Sequence, residues 1–143
     1  MKDYVVVDAS LAVKWVLKES DSEVALELAR EWVTTETRPI APGLILVEAT
    51  NVLHRRALQG HFSQSQAKQL LLMLLSIDIE IRESPQIHIQ ALELAQELQM
   101  PAVYDTHYLA LAEILECDLW TADERFFNSV KDRQPRVKWL GNF

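Results

Sequence analysis

The spacing of apolar residues changes several times along the chain, and each change marks an element. Val5, Val6 and Val7 run unbroken into Asp8. A continuous β-branched run suits a strand covered on both faces of a parallel sheet, where in–out alternation is not expected. SLAVKWVL (10–17) reads as a short helix with Ser10 as its N-cap. DSEVALELAREWV (21–33) has the spacing of an amphipathic helix. RPIAP (38–42) is extended, and too rich in proline for a central strand unless very brief. Gly43 opens a long helix, Leu44 to about Leu58, that Gly60 ends. SQSQAKQLLLMLL (63–75) predicts a further helix capped by Ser63. IDIEI (77–81) alternates with period two, as a strand with one wet face at a sheet edge does. Pro85 starts a helix that runs to about Gln99, and Pro101 follows it. Tyr104 to Glu116 is helical, and DLWT (118–121) and Val137–Trp139 read as short strands. Strands alternating with helices predict an α/β fold, rich in helix, around a mostly parallel sheet.

This pattern turns four acidic residues into anomalies. Asp8 ends a strand that reads as fully buried, and the carboxyl edge of an open α/β sheet is where ligands bind. Asp123 follows DLWT with only Ala122 between, and Asp105 begins the helix DTHYLALA (105–112). Each of these three stands at or just before a helix start, where aspartate is a favoured cap. Glu48 is different. It lies within LILVEATNVL (44–53), where helical spacing puts it on one face with Leu44, Ile45 and Val52. A buried, unpaired glutamate is costly, so it needs a cation, a hydrogen-bond network or a raised pKa. A salt bridge, or a helix rotated to turn Glu48 to water, would serve as well. If the two strands are parallel, Asp8 and Asp123 share one sheet edge, and like charges that close stay ionised only around a cation. Oxygen ligands suit Mg²⁺ or Mn²⁺, and the lack of a Cys/His cluster argues against zinc there.

Composition adds bounds. The 143 residues predict one domain, 1–143, able to bury a core without disulfides or structural metal. The lone Cys117 forms no internal disulfide, which fits a reducing cytoplasm. No signal-like leader stands at the N-terminus, and no apolar run approaches the roughly 20 residues of a membrane span. A soluble, cytoplasmic protein is expected. The net charge of −7 argues mildly against a polyanionic substrate. His54-Arg55-Arg56 and KDRQPRVK (131–138) are nevertheless basic, and are the candidate phosphate contacts. Lys14 could reach a phosphate or pair with one of the four acids. Trp15, Trp32 and Trp120 read as core, and His107 as a surface position on its helix.

VVVDAS (5–10), LVEATNVL (46–53), YDTHYLALA (104–112) and LWTADERF (119–126) together resemble the PIN domain, and in particular the VapC toxins of toxin–antitoxin pairs. The likeness extends over nearly the whole chain, with the segments in order. It implies a three-layer α/β/α sandwich and a Mg²⁺- or Mn²⁺-dependent endoribonuclease. The family's acidic quartet carries over to Asp8, Glu48, Asp105 and Asp123 as metal ligands. Its hydroxyl residue shortly before the last acid falls on Thr121, and Ser10 stands where the family often has a small hydroxyl or Asn. The resemblance also implies RNA as substrate, a homodimer, and a VapB-like antitoxin that covers the active site, with the helices at 24–33 and 44–58 as a candidate groove. A phosphoacceptor receiver domain is a poorer match, because the first strand supplies Asp8 alone and Glu48 sits in a helix. A PIN-fold binding module without catalysis is the alternative, against which the complete quartet counts.

Overall fold

The computed structural model describes residues 3–143. Among them, five parallel strands form one sheet in the order β3-β2-β1-β4-β5. β1 (Asp3–Val7) lies in the middle, and Val5, Val6 and Val7 are all buried, as the unbroken valine run predicts. It pairs with β2 (Thr37–Ala41) on one side and β4 (Leu119–Thr121) on the other, with Val6 beside Ile40 and beside Leu119. β3 (Glu80–Ile81) and β5 (Val137–Trp139) are the edges.

Seven α-helices connect these strands. α1 (Ala9–Ala12), α2 (Ser22–Thr34), α3 (Leu44–Leu58) and α4 (Gln64–Leu75) belong to the crossovers from β1 through β2 to β3. α5 (Pro85–Glu97) and α6 (Tyr104–Leu115) carry the chain back to β4, and α7 (Glu124–Val130) leads to β5. Parallel crossovers are right-handed, so reversing the direction of travel moves the helices to the other face. α1–α4 therefore cover one face and α5–α7 the other, which makes three layers. α6 packs on β1, with Thr106 and the run Tyr108–Ala112 buried. The reversal also leaves a switch point between β1 and β4, where the chain departs in opposite directions from two adjacent strand ends.

The structure departs from the sequence reading at the first helix, at β2 and at β3. Asp8, and not Ser10, is the N-cap of α1: its Oδ1 accepts from the Leu11 N–H at 3.0 Å, and Ser10 already lies within the helix. The helix is also shorter than 10–17 and tightens into a 3-10 turn over Val13–Trp15. RPIAP supplies a strand that lies inside the sheet in spite of Pro39. The proline stands beside Val5, while β3 reaches only Ile40 and Ala41, so β2 has a single neighbour at the residue that lacks an N–H. The 77–81 segment does lie at an edge, but only Glu80–Ile81 pairs.

Helix ends explain how a chain with three glycines stops so many helices. α2, α5 and α6 are each followed by a left-handed residue that is not glycine: Glu36 at φ 56°, Gln99 at φ 56° and Glu116 at φ 53°. Each forgoes the freedom that makes glycine the usual choice there. Exchanging Gln99 or Glu116 for glycine is expected to stabilise the fold by about 0.5–1 kcal/mol. Thermal unfolding of Gln99→Gly and Glu116→Gly, beside an exposed mid-helix glycine variant that loses stability, checks this.

Candidate active site

Because β1 and β4 are parallel and adjacent, their ends bring Asp8 and Asp123 to one edge. The register sets Val7 beside Trp120, so the next residues in line are Asp8 and Thr121. Three side-chain oxygens then link the two strand ends. Ser10 Oγ donates to Asp8 Oδ1 at 2.7 Å and accepts from the Ala122 N–H at 3.0 Å. Its one hydroxyl hydrogen is thereby spent, so Thr121 donates in the 3.2 Å pair between Thr121 Oγ1 and Ser10 Oγ. Thr121 Oγ1 in turn accepts from the Asp123 N–H at 3.0 Å. A continuous relay thus runs from the backbone of Asp123 through two hydroxyls to the carboxylate of Asp8. Asp123 also caps α7, its Oδ1 accepting from the Phe126 N–H at 3.1 Å.

Two helices complete the cleft, which has a volume of about 220 Å³ and is lined by Asp8, Ser10, Glu48, Asp105, Tyr108 and Asp123, with Asn51 and Arg55 at α3. Glu48 is half-buried. Its Oε1 accepts from the Tyr108 hydroxyl at 2.5 Å, a short charge-assisted bond across α3 and α6. That bond answers how a glutamate stands on a largely apolar helix face. Asp105 lies one residue inside the first turn of α6 and caps nothing, since the N-cap is Val103. The structure therefore brings all six sequence-selected residues to one place: Asp8, Ser10, Glu48, Asp105, Asp123 line the cleft, and Thr121 lies beneath it, fully buried.

Other expectations are redirected. Lys14 does not meet the cleft acids; its Nζ lies 3.1 Å from both Glu19 and Asp21. Arg56 is likewise tied to Glu19. In the 131–138 stretch, Arg133 donates to the Glu97 carbonyl and Arg136 to the carbonyls of Ala112 and Cys117, so these two hold backbone together. Only Arg55 of the basic candidates lines the cleft. Trp32 is core, whereas Trp15, with Trp32 and Val33, lines an apolar groove of about 620 Å³ between α2 and the start of β2. That groove lies at the opposite end of the strands from the acids and does not include α3. Tyr108 escaped the sequence reading, although its place three residues after Asp105 put it on the same helix face; Asn51 stands in the same relation to Glu48.

The sequence matches the PIN domain family over residues 5–132. The chain belongs to that family. No curated protein matches it by sequence. Among solved structures, the fold is similar to that of PAE2754 from Pyrobaculum aerophilum, with a TM-score of 0.70 at 21% identity over 99% of this chain and 94% of the other. A toxin–antitoxin complex from Klebsiella pneumoniae is similar at 0.64 and 19%, over 95% and 97% of the two chains. The sarcin–ricin-loop-cleaving toxin VapC20 of Mycobacterium tuberculosis reaches 0.64 at 16%, over 87% and 94%.

In this PIN domain the acids disturb one another. Burial pushes the Asp8 carboxyl up to about 6, although the nearby Thr121 hydroxyl, the Ser10 hydroxyl and the Leu11 N–H pull the other way. Asp105 is pushed up to about 7, by burial first and then by the charges of Asp8, Asp123 and Glu48. Burial and Glu48 also keep the Tyr108 phenol firmly protonated. A cation fits this environment in charge and in donor chemistry, since every cleft acid is a hard oxygen donor. Among the described residues, no three acidic, histidine or cysteine side chains stand close enough to grip an ion as they are.

A carboxyl whose pKa is raised on folding stabilises the fold below its unfolded value and loses that contribution as pH rises through the folded one. For Asp8 and Asp105 the window runs from 3.8 to about 6 and about 7. The metal-free protein is therefore expected to lose stability from these groups as pH rises from about 4 to about 7. Asp105→Asn should flatten this loss and be more stable at pH 8 by about 1–2 kcal/mol. Denaturant titrations of both proteins in chelator across that range test it; an unchanged pH slope in Asp105→Asn would sink the electrostatic account.

Proposed function

We propose that this protein is a metal-dependent endoribonuclease that hydrolyses RNA phosphodiester bonds, and that it is the toxin of a toxin–antitoxin pair. The observation that carries the reading is the convergence of Asp8, Glu48, Asp105 and Asp123 on one cleft at the switch point, with Asp105 raised by burial and by the charge of the other three.

Asp8 and Asp105 are the residues that would hold Mg²⁺ or Mn²⁺ directly. Both hydrogen bonds to Asp8 fall on Oδ1, so Oδ2 is the oxygen it has to offer. Glu48 and Asp123, one anchored by Tyr108 and the other by its cap, act through water. When bound, the ion supplies Lewis-acid polarisation of the phosphate and lowers the pKa of a water. Glu48 and Asp123 orient the water that attacks phosphorus in line with the departing 3′-oxygen. Ser10 and Thr121 are positioning residues: their relay fixes the carboxylate plane of Asp8 to the end of β4. Arg55 at the cleft rim is the phosphate contact, and the acidic total favours recognition by local groups and RNA shape over broad attraction.

A VapB-like antitoxin is the protein partner of this reading, and a homodimer its assembly, in the cytoplasm. Exposed apolar residues on α3 and α4, among them Val47, Leu58, Leu72, Met73 and Leu75, offer surface for such contacts. No helix of the described residues is long and apolar enough to cross a membrane.

Cleavage of structured RNA by purified, antitoxin-free protein in Mg²⁺, Mn²⁺ or EDTA, beside Asp8→Asn, is the first test. Cutting should need the ion, and fall in the folded variant by more than the about 10–100-fold that loss of a supporting residue costs. No cutting of any RNA pool would leave a PIN-fold binding module. Arg55→Ala should weaken RNA binding similarly for all sequences and reduce the salt slope by about 1, which filter binding at several salt concentrations reads directly.

A further inference from the structure

Two histidines that the cleft does not use face each other between the first turns of α5 and α6. His107 Nδ1 lies 2.6 Å from the Val103 carbonyl oxygen. His88 Nε2 lies 2.7 Å from Glu83 Oε2. A carbonyl and an ionised carboxylate only accept, so both of these nitrogens carry hydrogen. A neutral imidazole has one ring hydrogen, and each ring has spent it outward. The two inner nitrogens, His88 Nδ1 and His107 Nε2, are then both bare, yet they stand 2.9 Å apart. Two lone pairs at that distance need a cation between them, either one more proton or a metal ion.

The arrangement matches a metal ion in three respects. Ligating imidazoles almost always donate their other N–H to a carboxylate or a backbone carbonyl, which fixes the tautomer and raises the basicity of the inner nitrogen. Here one ring has each kind of support. Zn–N bonds of about 2.0–2.1 Å at tetrahedral to right angles separate two nitrogens by about 2.9–3.4 Å. The site is also open, with the side chains of His88 and Glu83 54% and 51% exposed, so an ion can enter and keep its waters. We propose that His88 and His107 form a transition-metal site that takes Zn²⁺, Ni²⁺ or Cu²⁺ but not Mg²⁺, and that clamps α5 to the first turn of α6. Imidazole suits those ions, and the hard cation that fits the carboxylates prefers oxygen. Among the described residues no group of three His, Cys, Asp or Glu side chains encloses an ion, so water completes the sphere. The inference does not depend on the nuclease reading.

Zn²⁺ can also enter a carboxylate cleft, so the test uses the variant Asp8→Asn/Asp105→Asn, in which that cleft is disarmed. At about 100 times its Kd, Zn²⁺ should raise the Tm of this variant by about 5–10 °C, and Mg²⁺ should not. Adding His88→Gln or His107→Gln should abolish the rise while circular dichroism shows the fold intact. Cu²⁺ bound to the otherwise unaltered protein should show nitrogen coupling from two imidazoles, reduced to one in each histidine variant. A Zn²⁺ response that survives both histidine variants, or none in the disarmed protein, would overturn the site and leave the pair sharing a proton.

Discussion

Placing a carboxylate at the end of a strand buried on both faces is the constraint on which the rest of this molecule depends. Asp8 is only 4% exposed, and removing a charge from water to that depth is costly unless hydrogen bonds replace the lost solvent. The chain supplies them from its own next turn. Leu11 N–H and Ser10 Oγ both bond Asp8 Oδ1, so the residue that would destabilise β1 becomes the cap that starts α1. The same local geometry is repeated at Asp123, which caps α7 after β4. Two adjacent parallel strands each end in an aspartate that is immobilised by the helix it begins. Capping and ligation are therefore not rival explanations here. The cap occupies one oxygen and fixes the carboxylate plane, and both aspartates line the cleft.

The helix-borne acids obey a different logic. Asp105 caps nothing and has its pKa raised by burial and by its neighbours, so its position is bought with stability that a cation or a proton must return. Glu48 is held by Tyr108, whose buried hydroxyl needs an acceptor as much as the glutamate needs a donor. The strand-end acids are thus fixed by the helices they begin, and Glu48 by a partner on another helix, while Asp105 has no such tie. The hydroxyls of Ser10 and Thr121 join the two strand ends, so a shift of β4 against β1 would be felt at Asp8.

The elements with strong local signals were legible from residue patterns. The valine run, the Ser63 cap, Pro85 at the start of α5 and the alternation into an edge strand all express short-range physics. What escaped were features decided by distant partners. Pro39 was discounted because the shortness of β3, which leaves β2 single-sided at that residue, is not visible in RPIAP. Asp8 and Ser10 both carry capping side chains two residues apart, and only the fold shows that the Leu11 N–H goes to Asp8. The cleft acids were legible because a charge in an apolar pattern is anomalous. Tyr108 was not, since an aromatic in an apolar helix reads as core until its hydroxyl is traced to Glu48. The basic stretches failed for the opposite reason: charge on the page does not reveal that Arg136 and Arg133 are spent on backbone carbonyls.

The first turn of α6 shows how closely different chemistries are packed in this fold. Residues two apart on a helix point in nearly opposite directions. Asp105 consequently turns to the oxygen-lined cleft while His107 turns to His88 on α5. Neither side chain caps the helix, so the turn is positioned by what each of them meets: like charge on one side, an imidazole on the other. The PIN cleft can draw Asp105 inward only as far as that turn yields, and the His88–His107–Glu83 chain is what the turn would have to pull against. The histidine contact outside the cleft and an acid raised by burial and neighbouring charge thus share one turn of helix.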